Sequence, residues 1–86
     1  MTKYLLKKHY EATAQNEKFS NAVIDYYEGV NHTLVSENKE PNEAQVDRWG
    51  YETLAGAKKA LKAAQELAEW ETEKGFWNVT VELYTR

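Results

Sequence analysis

Residues 53–85 read TLAGAKKALKAAQELAEWETEKGFWNVTVELYT, and two different periodicities meet inside this one stretch. At about 100° per residue, Leu54, Ala57, Ala60, Leu61, Ala64, Leu67 and Ala68 fall within an arc of about 140°. Lys58, Lys62, Glu66, Glu69 and Glu73 fall within about 80° of one another on the opposite side. Thr53 is a good N-cap, and Gly75 ends the run. The spacing therefore predicts a helix from Thr53 to about residue 72. Its apolar face is mostly alanine, so its backbone can approach closely whatever it covers. After Gly75 the period changes to two. Trp77, Val79, Val81 and Leu83 alternate with Asn78, Thr80, Glu82 and Tyr84, the pattern of a strand with one covered face. A helix facing a sheet is the natural arrangement.

The rest of the chain supplies the sheet. Residues 3–13 place Tyr4, Leu6, Tyr10 and Ala12 on one face, with Lys8 the odd member. Lys7, His9, Glu11 and Thr13 lie on the other, with Leu5 at its start. Residues 19–37 are rich in Val, Ile, Tyr and Thr and favour strand. Glu28-Gly29 suggests a hairpin with arms near 20–27 and 30–36, or one strand bulged at Gly29. A helix through 20–29 competes, because Phe19, Val23 and Tyr27 are four apart. Residues 37–43, including the only proline, form a polar loop. Asn42 with Gln45 makes a capping box for a short helix over 43–49, ended by Gly50 in a left-handed conformation. An extended reading of 43–49 stays open. Gly56, early in the main helix, costs up to about 1 kcal/mol relative to alanine, which suggests that an aromatic ring approaches there. The expected fold is α+β: a small antiparallel sheet in the order β-β-(β)-α-β, with one main helix on one face, forming a single domain over 1–86.

Composition excludes several classes. The chain has 86 residues and no cysteine, so disulfides and thiolate metal sites are ruled out and the fold must rest on its core or on a partner. No run approaches the roughly 18 apolar residues of a membrane span, and the first residues lack the apolar core of a secretory signal. A cytosolic protein with no membrane partner is expected. The net charge of −3 argues against a general phosphate binder. No phosphate loop or nucleophile elbow appears, and the sequons at Asn31 and Asn78 read as chance. His9, Glu11 and His32 are the one combination that resembles a metal triad, but their spacing does not enforce convergence. No cofactor, metal or catalytic group is assigned, and an enzyme is the least favoured reading.

Eleven aromatics, counted as three Trp, six Tyr and two Phe, are the distinctive feature. Trp49 and Tyr51 stand before the main helix, and Trp70, Phe76 and Trp77 stand at its end. One alanine-faced helix on one sheet cannot readily bury all of them, and exposed aromatic patches mark interaction sites. These five form the candidate partner surface of a non-enzymatic protein–protein interaction module, expected to self-associate. The stripe of Lys58, Lys62, Glu66, Glu69 and Glu73 is basic first and acidic last, the reverse of what the helix dipole favours. It is a candidate for steering a partner or a second copy. Two alternatives stay open. Lys3, Tyr4, Lys7, Lys8 and Tyr10 suit a nucleic-acid face, with Tyr26, Tyr27 and Tyr84 lining an open sheet surface. The acidic end of the helix suits an inhibitor of a nucleic-acid-binding protein.

Overall fold

The structure is a computed structural model that describes residues 2–30, 32–35 and 39–85, apart from the side chains of 32–35. Strands β1 (Tyr4–Ala12), β2 (Val23–Gly29) and β3 (His32–Val35) are followed by helices α1 (Glu43–Trp49) and α2 (Leu54–Glu73), then by β4 (Trp77–Thr85). The four strands form one antiparallel sheet in the order β3-β2-β1-β4. The α+β class and the long helix are as the periodicities require. The hairpin is placed differently. β2 runs through Gly29 and β3 begins at His32, so Glu28-Gly29 belongs to the strand and is not the turn. The helical alternative for 20–29 is not adopted.

Register assigns the faces. Tyr10 stands opposite Ile24 and Val79, and Lys8 opposite Tyr26 and Val81. Leu6, Lys8 and Tyr10 therefore share a face with Ile24, Tyr26 and Glu28 and with Trp77, Val79 and Val81. α2 lies on this face over β1 and β4. Ala64 and Ala68 close on Leu6, Val79 and Val81, with Leu61 and Leu83 at the margin. Leu54 and Leu67, at the ends of the apolar arc, are 41% and 58% exposed. A helix of this kind rests on two strands, so the flanks of a 140° arc overhang them.

The second face is also covered, at one end. α1 seats Val46 and Trp49 on Leu5, Tyr27 and Tyr84, and the Tyr27 and Tyr84 rings meet edge to face at 5.1 Å. The capping box is formed in both directions: Gln45 N donates to Asn42 Oδ1 at 2.8 Å and Asn42 N to Gln45 Oε1 at 2.9 Å. Gly50 has φ −68° and ψ 149°, so it ends α1 in extended rather than left-handed backbone. The chain then crosses from one face to the other at Tyr51. Its N–H and C=O pair with Tyr4 at 2.7 and 3.1 Å, on the side of β1 where β2 has already ended. Thr53 caps α2 through Gly56 N at 3.1 Å, and the Tyr51 ring reaches within 4.0 Å of a β-carbon at Gly56. "WGYETLAG" is thus a crossing that starts one helix and docks another.

Two glycines carry backbone requirements. Gly75, φ +89°, turns α2 into β4. Its carbonyl accepts from the Thr13 hydroxyl, and Phe76 O accepts from Thr13 N at 3.1 Å and Asn16 Nδ2 at 3.1 Å, tying the β1–β2 loop to this turn. Gly29 lies under α1: Val30 N donates to Trp49 O at 2.6 Å, and a β-carbon at Gly29 would stand 2.1 Å from that oxygen.

Candidate interaction site

α2 covers the β1–β4 half of its sheet face and leaves the β1–β2 half uncovered. The uncovered half is a groove with a cavity of about 390 Å³, within the size range of ligand-binding clefts. Its floor is Lys8 and Tyr10 from β1 and Ile24, Tyr26 and Glu28 from β2, and Trp77 from β4 closes one end. These side chains converge because alternate residues of antiparallel strands share a face and the register sets Tyr10 beside Ile24.

The rings form a continuous row. Tyr26 meets Tyr10 edge to face at 5.4 Å, Tyr10 meets Trp77 edge to face at 5.9 Å, and Trp77 meets Phe19 at 5.7 Å. Phe19, on the β1–β2 loop, is 45% exposed and extends the row to the surface. Lys8 Nζ is paired with Glu28 Oε1 at 3.2 Å. On the α2 side, the Glu71 carboxylate stands near the Tyr10 hydroxyl. Burial of the ring, and then this carboxylate, push the Tyr10 hydroxyl up to about 12, so it remains a donor at neutral pH. The groove is therefore aromatic, with one neutralised ion pair and one further carboxylate at its margin.

The five aromatics singled out from the sequence divide by position. Trp77 lines the groove, while Phe76 and Trp70 lie near the same end of the molecule, 53% and 55% exposed. Lys74 Nζ stands 3.6 Å from the centre of the Trp70 ring. Trp49 and Tyr51 are at the other end and half-buried, engaged by the fold as described. The stripe of Lys58, Lys62, Glu66, Glu69 and Glu73 lies exposed on the outer side of α2. None of the five makes an ion pair with another described residue.

The Lys/Tyr set does not form one face. Lys7 points to the side opposite Lys8 and Tyr10. Lys3 is buried and paired with Glu52 at 3.3 Å, and Lys8 is held by Glu28. Tyr27 and Tyr84 are under α1, so of Tyr26, Tyr27 and Tyr84 it is Tyr26 that joins Lys8 and Tyr10 in the groove. Alternation separates neighbours on a strand, so adjacent residues such as Tyr26 and Tyr27 cannot line one surface.

His9 lies on the second face, beyond α1. Its Nδ1 is 2.5 Å from Asp25 Oδ1 and its Nε2 3.0 Å from Glu11 Oε1. Both contacts favour the imidazolium, and Glu11 foremost, then Asp25, raise its pKa above the ordinary value of 6.5. Among the described residues no group of three His, Asp or Glu is placed to hold a metal; the His32 side chain lies outside them, as does Ser36. Among the described residues no helix is long and apolar enough to cross a membrane.

Ile24, Tyr26, Glu28, Phe19 and Glu71 are groove residues that pattern alone does not assemble. No family model, curated protein or solved structure matches the chain.

Proposed function

We propose that this is a non-enzymatic, cytosolic interaction module that binds a protein partner in the aromatic groove. The observation that supports the reading is the row Tyr26–Tyr10–Trp77–Phe19, in which Tyr10 and Trp77 rest against the core at the margin of α2 and the row runs along a 390 Å³ cavity to the surface at Phe19. Rings held in edge-to-face pairs lose little freedom when a partner lands on them, which is why aromatics dominate binding hot spots. Glu28 is neutralised by Lys8, so Glu71 is the carboxylate that gives the margin an acidic bias beside the π faces. The groove suits a segment that presents an apolar or aromatic anchor next to a basic residue. A nucleic-acid role has less support, because Lys3 and Lys8 are already neutralised and Lys7 faces away.

A random dodecapeptide display library panned on the full chain tests this reading. The expected result is enrichment of peptides combining an apolar anchor with Lys or Arg, which bind at least tenfold more weakly to Tyr26→Thr. That substitution removes a ring from the groove floor while keeping a residue suited to a strand. Enriched peptides that bind wild type and Tyr26→Thr equally, or no enrichment, would contradict the proposal.

A further inference from the structure

We infer that two copies of the chain associate through the outer faces of α2, packed antiparallel about a two-fold axis near the middle of the helix. α2 has no acidic residue in its first turn and no basic residue in its last. Lys58, Lys59 and Lys62 fall in the first half of α2 and Glu66, Glu69 and Glu73 in the second, the order opposite to the one the helix dipole favours. All six are exposed, and none pairs with another described residue. A second α2 running the opposite way reverses each of these disadvantages: its acidic half lies beside the first copy's basic half, and its dipole opposes the first.

The apolar residues on the same outer flank fit that arrangement. At about 100° per residue, Lys59, Ala63, Glu66 and Trp70 form one line along the helix. With the axis between Ala63 and Glu66, Trp70 lies across Lys59 of the second copy. Glu66 then falls beside Lys62 of that copy, and Glu69 and Glu73 flank its Lys58. Ala63 is small enough to let the helices approach, and Trp70, 55% exposed, supplies the anchor. Lys74 already occupies one side of the Trp70 ring at 3.6 Å, leaving the other for Lys59 of the partner copy. The interface is isologous and closed, so it yields a dimer and no larger array. The free edge of β4 does not compete for this role. The Thr72 hydroxyl bonds Val79 N and O at 3.0 and 3.4 Å, and Gln65 Nε2 bonds Val81 O at 3.3 Å, sealing the middle of that edge.

Sedimentation of the full chain between roughly 10 and 200 μM, at low and high salt, tests the inference. The expected mass at low salt is twice the 10.0 kDa of the chain, with weaker association at high salt. K58E/K59E/K62E and E66K/E69K/E73K should each be folded by circular dichroism and monomeric alone. Mixed in equal amounts they should form a heterodimer. Trp70→Ala, at an exposed position, should weaken dimerisation at least tenfold with no loss of fold. A wild type that stays near 10.0 kDa, reversal variants that still dimerise, or a mixture that stays monomeric would overturn it. Tyr26→Thr should leave the dimer intact, which separates this surface from the groove.

Discussion

Replacing Gly29 with alanine tests how α1 is docked. The new β-carbon would stand 2.1 Å from Trp49 O and 2.7 Å from Trp49 C. A carbon normally keeps about 3.3 Å or more from a carbonyl oxygen, so the end of α1 must withdraw by about 1 Å. That movement breaks the 2.6 Å bond from Val30 N to Trp49 O, at about 0.5–1.5 kcal/mol. It also forces Val46 and Trp49 off Leu5 and Tyr27, an overpacking effect of about 1–3 kcal/mol. Restriction of the unfolded chain returns about 0.4–1 kcal/mol. The net loss is about 2 kcal/mol, which for a domain of this size lowers the melting temperature by roughly 8–16 °C. Thermal unfolding followed by circular dichroism reads it, and Trp49 fluorescence should shift to the red in the folded state. Gly56→Ala is the control. Its β-carbon meets no backbone, only the Thr53 Oγ1 at 3.1 Å and the Tyr51 ring at 4.0 Å, and the substitution should raise stability by a few tenths of a kcal/mol, up to about 1. A change below about 2 °C for Gly29→Ala would refute the close packing of α1 on β2.

His9 gives a pH dependence. Its folded pKa is raised above 6.5 by Glu11 and Asp25, so its stabilising contribution is complete below the unfolded value and is lost as pH rises through the folded one. Urea midpoints should fall between pH 6 and pH 8 in the wild type and change less in His9→Gln; equal slopes would remove His9 as the cause. Thr72→Val keeps the shape but deletes the hydroxyl that bonds both Val79 backbone groups. It should cost about 1 kcal/mol in chemical denaturation and increase hydrogen exchange at Val79, whereas unaltered exchange would mean that the edge is not sealed by this residue.

Much of the fold is legible in the sequence because local physics decides it. The alanine arc of α2, the Thr53 cap, the Asn42–Gln45 box and the alternation of β4 each depend on residues close together in the chain. Gly29 misleads because its missing side chain answers to Trp49, twenty residues away, and not to a turn. Lys8 looks like an irregularity in an apolar face until the register sets Glu28 diagonal to it. Leu5 looks out of place on a polar face until α1 arrives from the middle of the chain. The groove is the least legible feature. Tyr10, Ile24 and Tyr26 are brought together by strand register, and the uncovered area depends on which strands α2 sits on. Neither quantity has a local signature. Trp77 is recognisable from its place in β4, but its partners Phe19 and Tyr10 are not.

The three tryptophans report on three separate surfaces: Trp49 beneath α1, Trp70 on the outer side of α2, and Trp77 at the end of the groove. Their indole N–H signals in a nitrogen–proton correlation spectrum therefore test the central claim directly. During titration with a peptide selected on the full chain, the Trp77 signal should move in proportion to occupancy while Trp49 and Trp70 hold their positions. A Trp77 signal that stays fixed while Trp49 or Trp70 shifts would contradict the assignment of the groove as the binding surface.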